Sequence, residues 1–282
     1  MSALTRLAAA ALVVPLSGCL AFDMPDAVER TMTRTFTVRP QSQLRVNIRG
    51  GSISTQTGDP GTIRVELVER VHAKNENQMD AILENYEISA KQDGDVVSIL
   101  ARRRSDAEWK VWRQDYVNFS ARLIVPADVV LTLGTSGGSI SVHGVRPADV
   151  KANTSGGGIK VDGGSGTLDL DTSGGSISVE RAMSNVKADT SGGSITVRYV
   201  GPDASDVNLD TSGGSIHVGV DPDASLRVDA STSGGSVRVE DLPFTISDNG
   251  RSHARGLING GKGRLHASTS GGSITINRTE GR

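Results

Sequence analysis

The residue types able to do chemistry are few in this chain, and most are spread apart. Its five histidines, His72, His143, His217, His253 and His266, show no HExxH pattern and no paired spacing, so the sequence sets out no zinc site. Three carboxylates are more suggestive. Asp171, Asp189 and Asp210 occupy the same place in three successive repeats, and stacked repeats would align them about 4.8 Å apart. Like charges at that distance repel by about 1 kcal/mol in water, which could recruit a cation. Lys151 and Lys187 could neutralise the ladder instead, and the Gly-Gly-x-Gly-x-Asp calcium repeat is absent. The aromatic cluster Trp109, Trp112 and Tyr116 follows Arg102-Arg103-Arg104 and reads as a loop. Such a loop can touch a glycan, a lipid headgroup or a partner, or simply pack on a neighbouring helix beside a solvated charge run. No GxSxG, P-loop or dinucleotide fingerprint is present, and Gly163-Gly164-Ser165-Gly166 lacks the following helix that phosphate binding needs. A glycosidase would need paired carboxylates beside an aromatic groove. The expectation is a chain that is not an enzyme, with no catalytic residue, no cofactor and no metal.

Charge and composition narrow the partners. The 282 residues carry 30 Lys+Arg against 32 Asp+Glu, a net charge of −2, so no basic field collects nucleic acid. Aromatic residues are only 3%, which leaves few stacking platforms. Glycine is abundant at 34 residues and hydrophobic residues reach 36%, so a core must be spread thinly over many short elements.

The only cysteine, Cys19, sits where chemistry is expected of it. Arg6 precedes an apolar run from Leu7 to Leu16, too short at about 1.5 Å per residue to cross a hydrocarbon core of about 30 Å. The run ends in Leu16-Ser17-Gly18-Cys19, which resembles the bacterial lipobox, whose cysteine thiol receives a diacylglycerol. Residues 1–18 are then a lipoprotein signal peptide, Cys19 is the lipidation site, and residues 19–35 form a tether. Multiple acyl chains anchor firmly because each buried methylene adds about 0.8 kcal/mol. Leu20 in place of an aspartate points to the outer membrane. With no second thiol, stability must come from packing rather than disulfides.

The elements that would position these groups are set by a repeat. Thr-Ser-Gly-Gly begins at Thr135, Thr154, Thr172, Thr190, Thr211, Thr232 and Thr269, at steps of 19, 18, 18, 21, 21 and 37 residues. On either side the residues alternate apolar and polar, the signature of two short strands meeting at a glycine corner. Leu131/Leu133/Thr135 and its equivalents before each corner make one inward stripe; Ile140/Val142 and its equivalents after it make another. A unit of this size cannot close a core alone, but stacking buries both stripes. The reading is all-β: a single-stranded β-solenoid (β-helix) with rungs of 18–21 residues, favoured over an antiparallel sandwich because only a solenoid demands the same corner each time. The glycine pairs are expected to supply positive φ at the corners, and the inward threonines to hydrogen-bond neighbouring rungs. Seven rungs would span roughly 30 Å. The long last step implies a decayed copy or an inserted loop within 240–262, with Leu257-Ile258-Asn259-Gly260-Gly261 as the remnant.

Residues 36–133 read as degenerate rungs with a helix, and 134–282 as the regular repeats. Leu44 to Thr55 mimics a rung around Gly50-Gly51, Asn75–Tyr86 reads as a helix with Met79, Ile82 and Leu83 on one face, and the strand-helix-strand leader caps the open end. The Gly-Gly-Ser-Ile rungs, that leader, Leu123-Ile124-Val125-Pro126 and the late Ile258-Asn259-Gly260-Gly261 together resemble the bacterial putative-adhesin family of β-solenoid envelope domains, over most of 36–282. The resemblance implies a β-helix in the cell envelope and carries no catalytic residues. The expected function is a lipid-anchored envelope protein presenting a rigid solenoid for adhesion or envelope interaction. Its expected partners are the membrane through the anchor and a glycan or an envelope or cell-surface protein, not nucleic acid. A periplasmic scaffold is the alternative, and a carbohydrate-active β-helix enzyme a more distant one.

Overall fold

The computed structural model describes residues 27–104, 117–144, 149–163, 166–201 and 206–279. The expected signal peptide, Cys19 and the Trp109–Tyr116 cluster lie outside them. The leader consists of β1 (Ala27–Thr37), β2 (Gln43–Ile48), β3 (Gly50–Thr57), β4 (Thr62–His72), α1 (Glu76–Leu83), β5 (Tyr86–Asp93), β6 (Val96–Arg103) and β7 (Val117–Val125). Strand pairs then repeat: β8 (Val130–Thr135) with β9 (Ile140–Val142), β10 (Val150–Thr154) with β11 (Ile159–Val161), and β12 (Leu168–Thr172) with β13 (Ile177–Val179). They continue through β14 (Val186–Thr190), β15 (Ile195–Val200), β16 (Asp206–Thr211), β17 (Ile216–Val220), β18 (Leu226–Thr232) and β19 (Val237–Glu240). The chain ends in β20 (Phe244–Asn249), β21 (His253–Ile258), β22 (Gly263–Thr269) and β23 (Ile274–Arg278).

These strands build two facing sheets, one of eleven strands and one of twelve, as the all-β solenoid reading requires. The first strand of each rung joins the twelve-stranded sheet and the second joins the eleven-stranded sheet, in parallel register with the equivalent residues of the next rung. Each inward stripe seals the space between the sheets. Leu131, Leu170, Ala188, Leu209, Ile195 and Ile216 are fully buried, and the corner threonines are nearly so. Eleven strands at about 4.8 Å give a stack roughly 50 Å long, longer than seven rungs alone would make.

The corner threonines behave as expected. Thr172 Oγ1 donates to the Gly157 carbonyl, Thr190 to Gly175 and Thr211 to Gly193, each at 2.8 Å, always to the second glycine of the neighbouring corner. These bonds satisfy carbonyls that face a dry interior. The glycines work differently from expectation. Among the corner pairs only Gly50 has positive φ, at 89°. The demand is steric: a Cβ on Gly193 would lie 2.6 Å from the Ser176 nitrogen and nearer still to the Gly175 carbonyl, so the rungs stack backbone on backbone.

The order of rungs also departs from the simple succession. In space the last repeat, β22 and β23, lies between the rung of β16 and β17 and the rung of β18 and β19. The 37-residue step therefore contains no decayed rung. It holds the antiparallel hairpin of β20 and β21, which pairs with β18 and covers that edge. Asn259, Gly260 and Gly261 have φ of 46°, 87° and 69° and form the left-handed turn that sends the chain back into the stack. The other end is reordered too, since β2 and β3 sit between β8 and β9 on one side and β6 and β7 on the other.

Helix α1 keeps the start and the buried face of its sequence reading but ends at Leu83, and Tyr86, expected as its last residue, begins β5. Asn75 caps it through Oδ1, which accepts from the Gln78 amide, and Met79, Ile82 and Leu83 are buried. The tether is corrected at its second half. Residues 27–37 form β1, paired antiparallel along its length with β4, because Val28, Met32 and Phe36 pack against the core. Arg30 fastens this edge strand by bonds of 2.8 Å to buried Glu69 on β4 and to Asp80 on α1. Those two carboxylates raise the Arg30 guanidinium above its ordinary range, Glu69 first.

Candidate functional site

With the stripes turned inward, the alternate residues form ladders on the outer faces. On the twelve-stranded sheet the ladder just before the corner runs Asn153, Asp171, Asp189 and Asp210, in register as the spacing predicts. Two of these carboxylates, Asp189 and Asp210, have partners among their neighbours. Lys187 Nζ lies 3.2 Å from Asp189, Asn208 Nδ2 donates to Asp210 at 3.0 Å, and His266 lies 3.8 Å from Asp210. The Lys187 ammonium holds its proton above the ordinary lysine range because of its bond to Asp189 and the charges of Asp189, Asp169 and Asp171. Among the described residues no group of three His, Cys, Asp or Glu side chains stands close enough to hold a metal.

The histidines are dispersed along the stack. His143 Nδ1 lies 2.6 Å from Asp162, and His253 Nε2 3.2 Å from Asp248. His217 stands in a ladder with Thr196 and Thr275, and His72 ends β4. Arg102 is held by Glu87 at 3.1 Å.

On the twelve-stranded sheet a groove of about 590 Å³ runs across β14, β16, β22 and β18. Lys187, Asn208, His266 and Asp229 line it along one ladder; Thr167, Asn185, Asp206, Arg264 and Arg227 line it along the next. The second ladder is stiffened at its near end, where the Thr167 amide donates to Asp149 at 2.8 Å and the Asp206 amide to Asn185 at 3.1 Å. Arg227 and Arg264 were not singled out by sequence. The available signal was their common place in the frame, each immediately before the first residue of the inward stripe, Val228 or Leu265; a separation of 37 positions along the chain hid their adjacency.

A family model described as Toastrack DUF4097 matches residues 127–277. The chain belongs to the Toastrack DUF4097 family. The Toastrack match takes in the regular rungs, the inserted hairpin and the whole groove, while the leader with α1 precedes it. No curated protein matches the chain significantly. Among solved structures it is similar to a putative cell adhesion protein from Clostridium sporogenes, at 11% identity and TM-score 0.37, over 89% of this chain and 100% of that one. It is also similar to a putative adhesin from Bacteroides fragilis, at 10% identity and TM-score 0.39, over 89% and 97%. A putative lipid binding protein from Parabacteroides distasonis aligns at 12% identity and TM-score 0.28, over 89% and 97%. The sequence resemblance to a putative-adhesin family of unknown function thus agrees with the Toastrack assignment.

Proposed function

We propose that this Toastrack chain is a lipid-anchored cell-envelope protein, held by acylated Cys19 in the outer membrane, that presents its solenoid as a non-enzymatic surface for adhesion or envelope interaction. The supporting observation is the pair of outer faces, on which polar side chains repeat in register at strand spacing over a continuous core. Such a face offers many equal hydrogen-bonding positions at fixed separation, which suits a repetitive polar partner. The anchor rests on Leu16-Ser17-Gly18-Cys19. No helix among the described residues is long and apolar enough to cross a membrane.

Protease treatment of intact and permeabilised cells tests the display. Digestion on intact cells is expected, and digestion only after permeabilisation would replace surface display with a periplasmic role. Cys19→Ala should release the chain from the membrane fraction; retention there would refute the anchor.

One feature favours the scaffold alternative. The eleven-stranded sheet stops at β19 while the other sheet continues through β21 and β20, leaving Ile246 57% exposed beside Phe244 and Val239. Concentration-dependent sedimentation would reveal association through that end.

A further inference from the structure

The groove on the twelve-stranded sheet carries a charge arrangement that the fold does not account for. Arg264 and Arg227 are register partners on adjacent parallel strands, and both are exposed. Neither has an ion pair or hydrogen bond to its guanidinium among the described residues. Three other cations on this face are paired: Lys151 with Asp169 at 2.6 Å, Lys187 with Asp189 at 3.2 Å, and Arg255 with Asp229 at 3.0 Å. Asp206 stands in register with Arg264 and still lies beyond ion-pair distance. Two guanidinium groups side by side at strand spacing repel, so within the chain the pair is destabilising.

We propose that this groove binds an acidic glycan, with Arg227 and Arg264 clamping a sugar carboxylate or phosphate. The proposal rests on the surface-binding reading above and names its ligand class. Planar guanidinium forks match the paired oxygens of a carboxylate or phosphate, and two forks in register hold the group from both sides. The remaining wall suits sugar hydroxyls. Asn208 spends its Nδ2 on Asp210 and keeps Oδ1 to accept, and the Thr167 hydroxyl can both donate and accept. The groove crosses strands rather than ending in a closed cavity, so a polymer can pass through it. Nucleic acid fits less well: two unpaired guanidinium groups cannot follow a phosphate backbone, no aromatic ring other than His266 lines the groove, and the chain's net charge is −2.

The test is calorimetric titration of the detergent-solubilised full chain with polygalacturonate, phosphomannan, neutral dextran and inorganic phosphate. Binding of polygalacturonate or phosphomannan without dextran is expected, weakening steeply with salt. Arg227→Gln/Arg264→Gln should reduce that affinity at least tenfold with a melting temperature unchanged or raised, while Arg122→Gln on the opposite sheet should leave it unchanged. No binding of either acidic polysaccharide, equal binding by the double variant, or inorganic phosphate bound as tightly as phosphomannan would overturn the proposal. Wild-type binding to isolated cell envelopes, measured in parallel, separates the two readings. Envelopes bound while neither acidic polysaccharide binds would overturn the groove and leave surface binding standing. Polysaccharide bound without envelopes would do the reverse.

Discussion

Alanine at Gly193 and alanine at Gly192 should have very different costs, although the two glycines are adjacent in the same corner. A Cβ on Gly193 would sit 2.6 Å from the Ser176 nitrogen, with the Gly175 carbonyl closer still, where ordinary contact begins at 3.4 Å. Relief requires the two rungs to part by on the order of 1 Å, which takes bonds of normal length past the range in which they hold. Three are at stake: Thr190 Oγ1 to Gly175 at 2.8 Å, the Ser194 amide to Ser176 Oγ at 3.1 Å, and the Ile177 amide to Ser194 at 3.0 Å. Overpacking a dense interior costs about 1–3 kcal/mol, and each lost bond adds about 1 kcal/mol. With partial relaxation the total is roughly 3–5 kcal/mol, a large share of the 5–15 kcal/mol typical of a domain. Gly192 differs. Its Cβ would lie 3.4 Å from the Gly174 carbonyl, and its φ is not positive, so the cost should stay below about 1 kcal/mol. Urea unfolding followed by far-UV circular dichroism, with amide exchange to localise the loss, reads the contrast. Equal midpoints, or greater damage from Gly192→Ala, would refute backbone-on-backbone stacking as the reason for the second glycine.

Two further outcomes follow from the ends of the stack. Arg30→Ala should destabilise the leader by about 3 kcal/mol, because it leaves the Glu69 carboxylate, only 5% exposed, without its partner; Glu69→Gln in the same chain should restore part of the loss in thermal melts. Truncation after Glu240 should abolish cooperative unfolding rather than shorten the rod by one rung, since it removes β22 and β23 from inside the stack; a truncated chain with an unchanged melting profile would contradict the threaded order.

The parts of this fold legible in the sequence were those encoded by alternation. The inward stripes, the corner threonine bonds and the buried face of α1 each follow from local period and residue type. Rung order was not legible, for the same reason that rungs were. Every corner presents the same tetrapeptide and every stripe the same residue classes, so the rung ending at Thr269 fits beside that of Thr211 as well as beside that of Thr232. Connection geometry decides it, through the β20–β21 hairpin and the Asn259-Gly260-Gly261 turn. The strand in the expected tether was hidden because an edge strand need bury little: Val28, Met32 and Phe36 stand four residues apart among Thr, Arg and Glu, without a clear period of two. The Arg227–Arg264 pair was hidden for a third reason, since neither residue belongs to a local motif and only the stacking register brings them together.

Threading at both ends bears on what the rod can do. A solenoid whose last rung is also its outermost can fray by peeling that rung away, because each unit contacts only its neighbours. Here β22 and β23 are held on both sides, by β16 and β17 and by β18 and β19, so peeling from the carboxyl end must begin by drawing out an interior rung. At the amino end β2 and β3 are enclosed in the same way, and Arg30 ties the edge strand to β4 and α1. Arg264 stands on the interior rung and Arg227 on the rung outside it, so their separation is fixed by the part of the stack that threading locks. A clamp of two guanidinium forks needs that fixed separation, because an anion held from both sides loses its second contact when one strand slips by a residue.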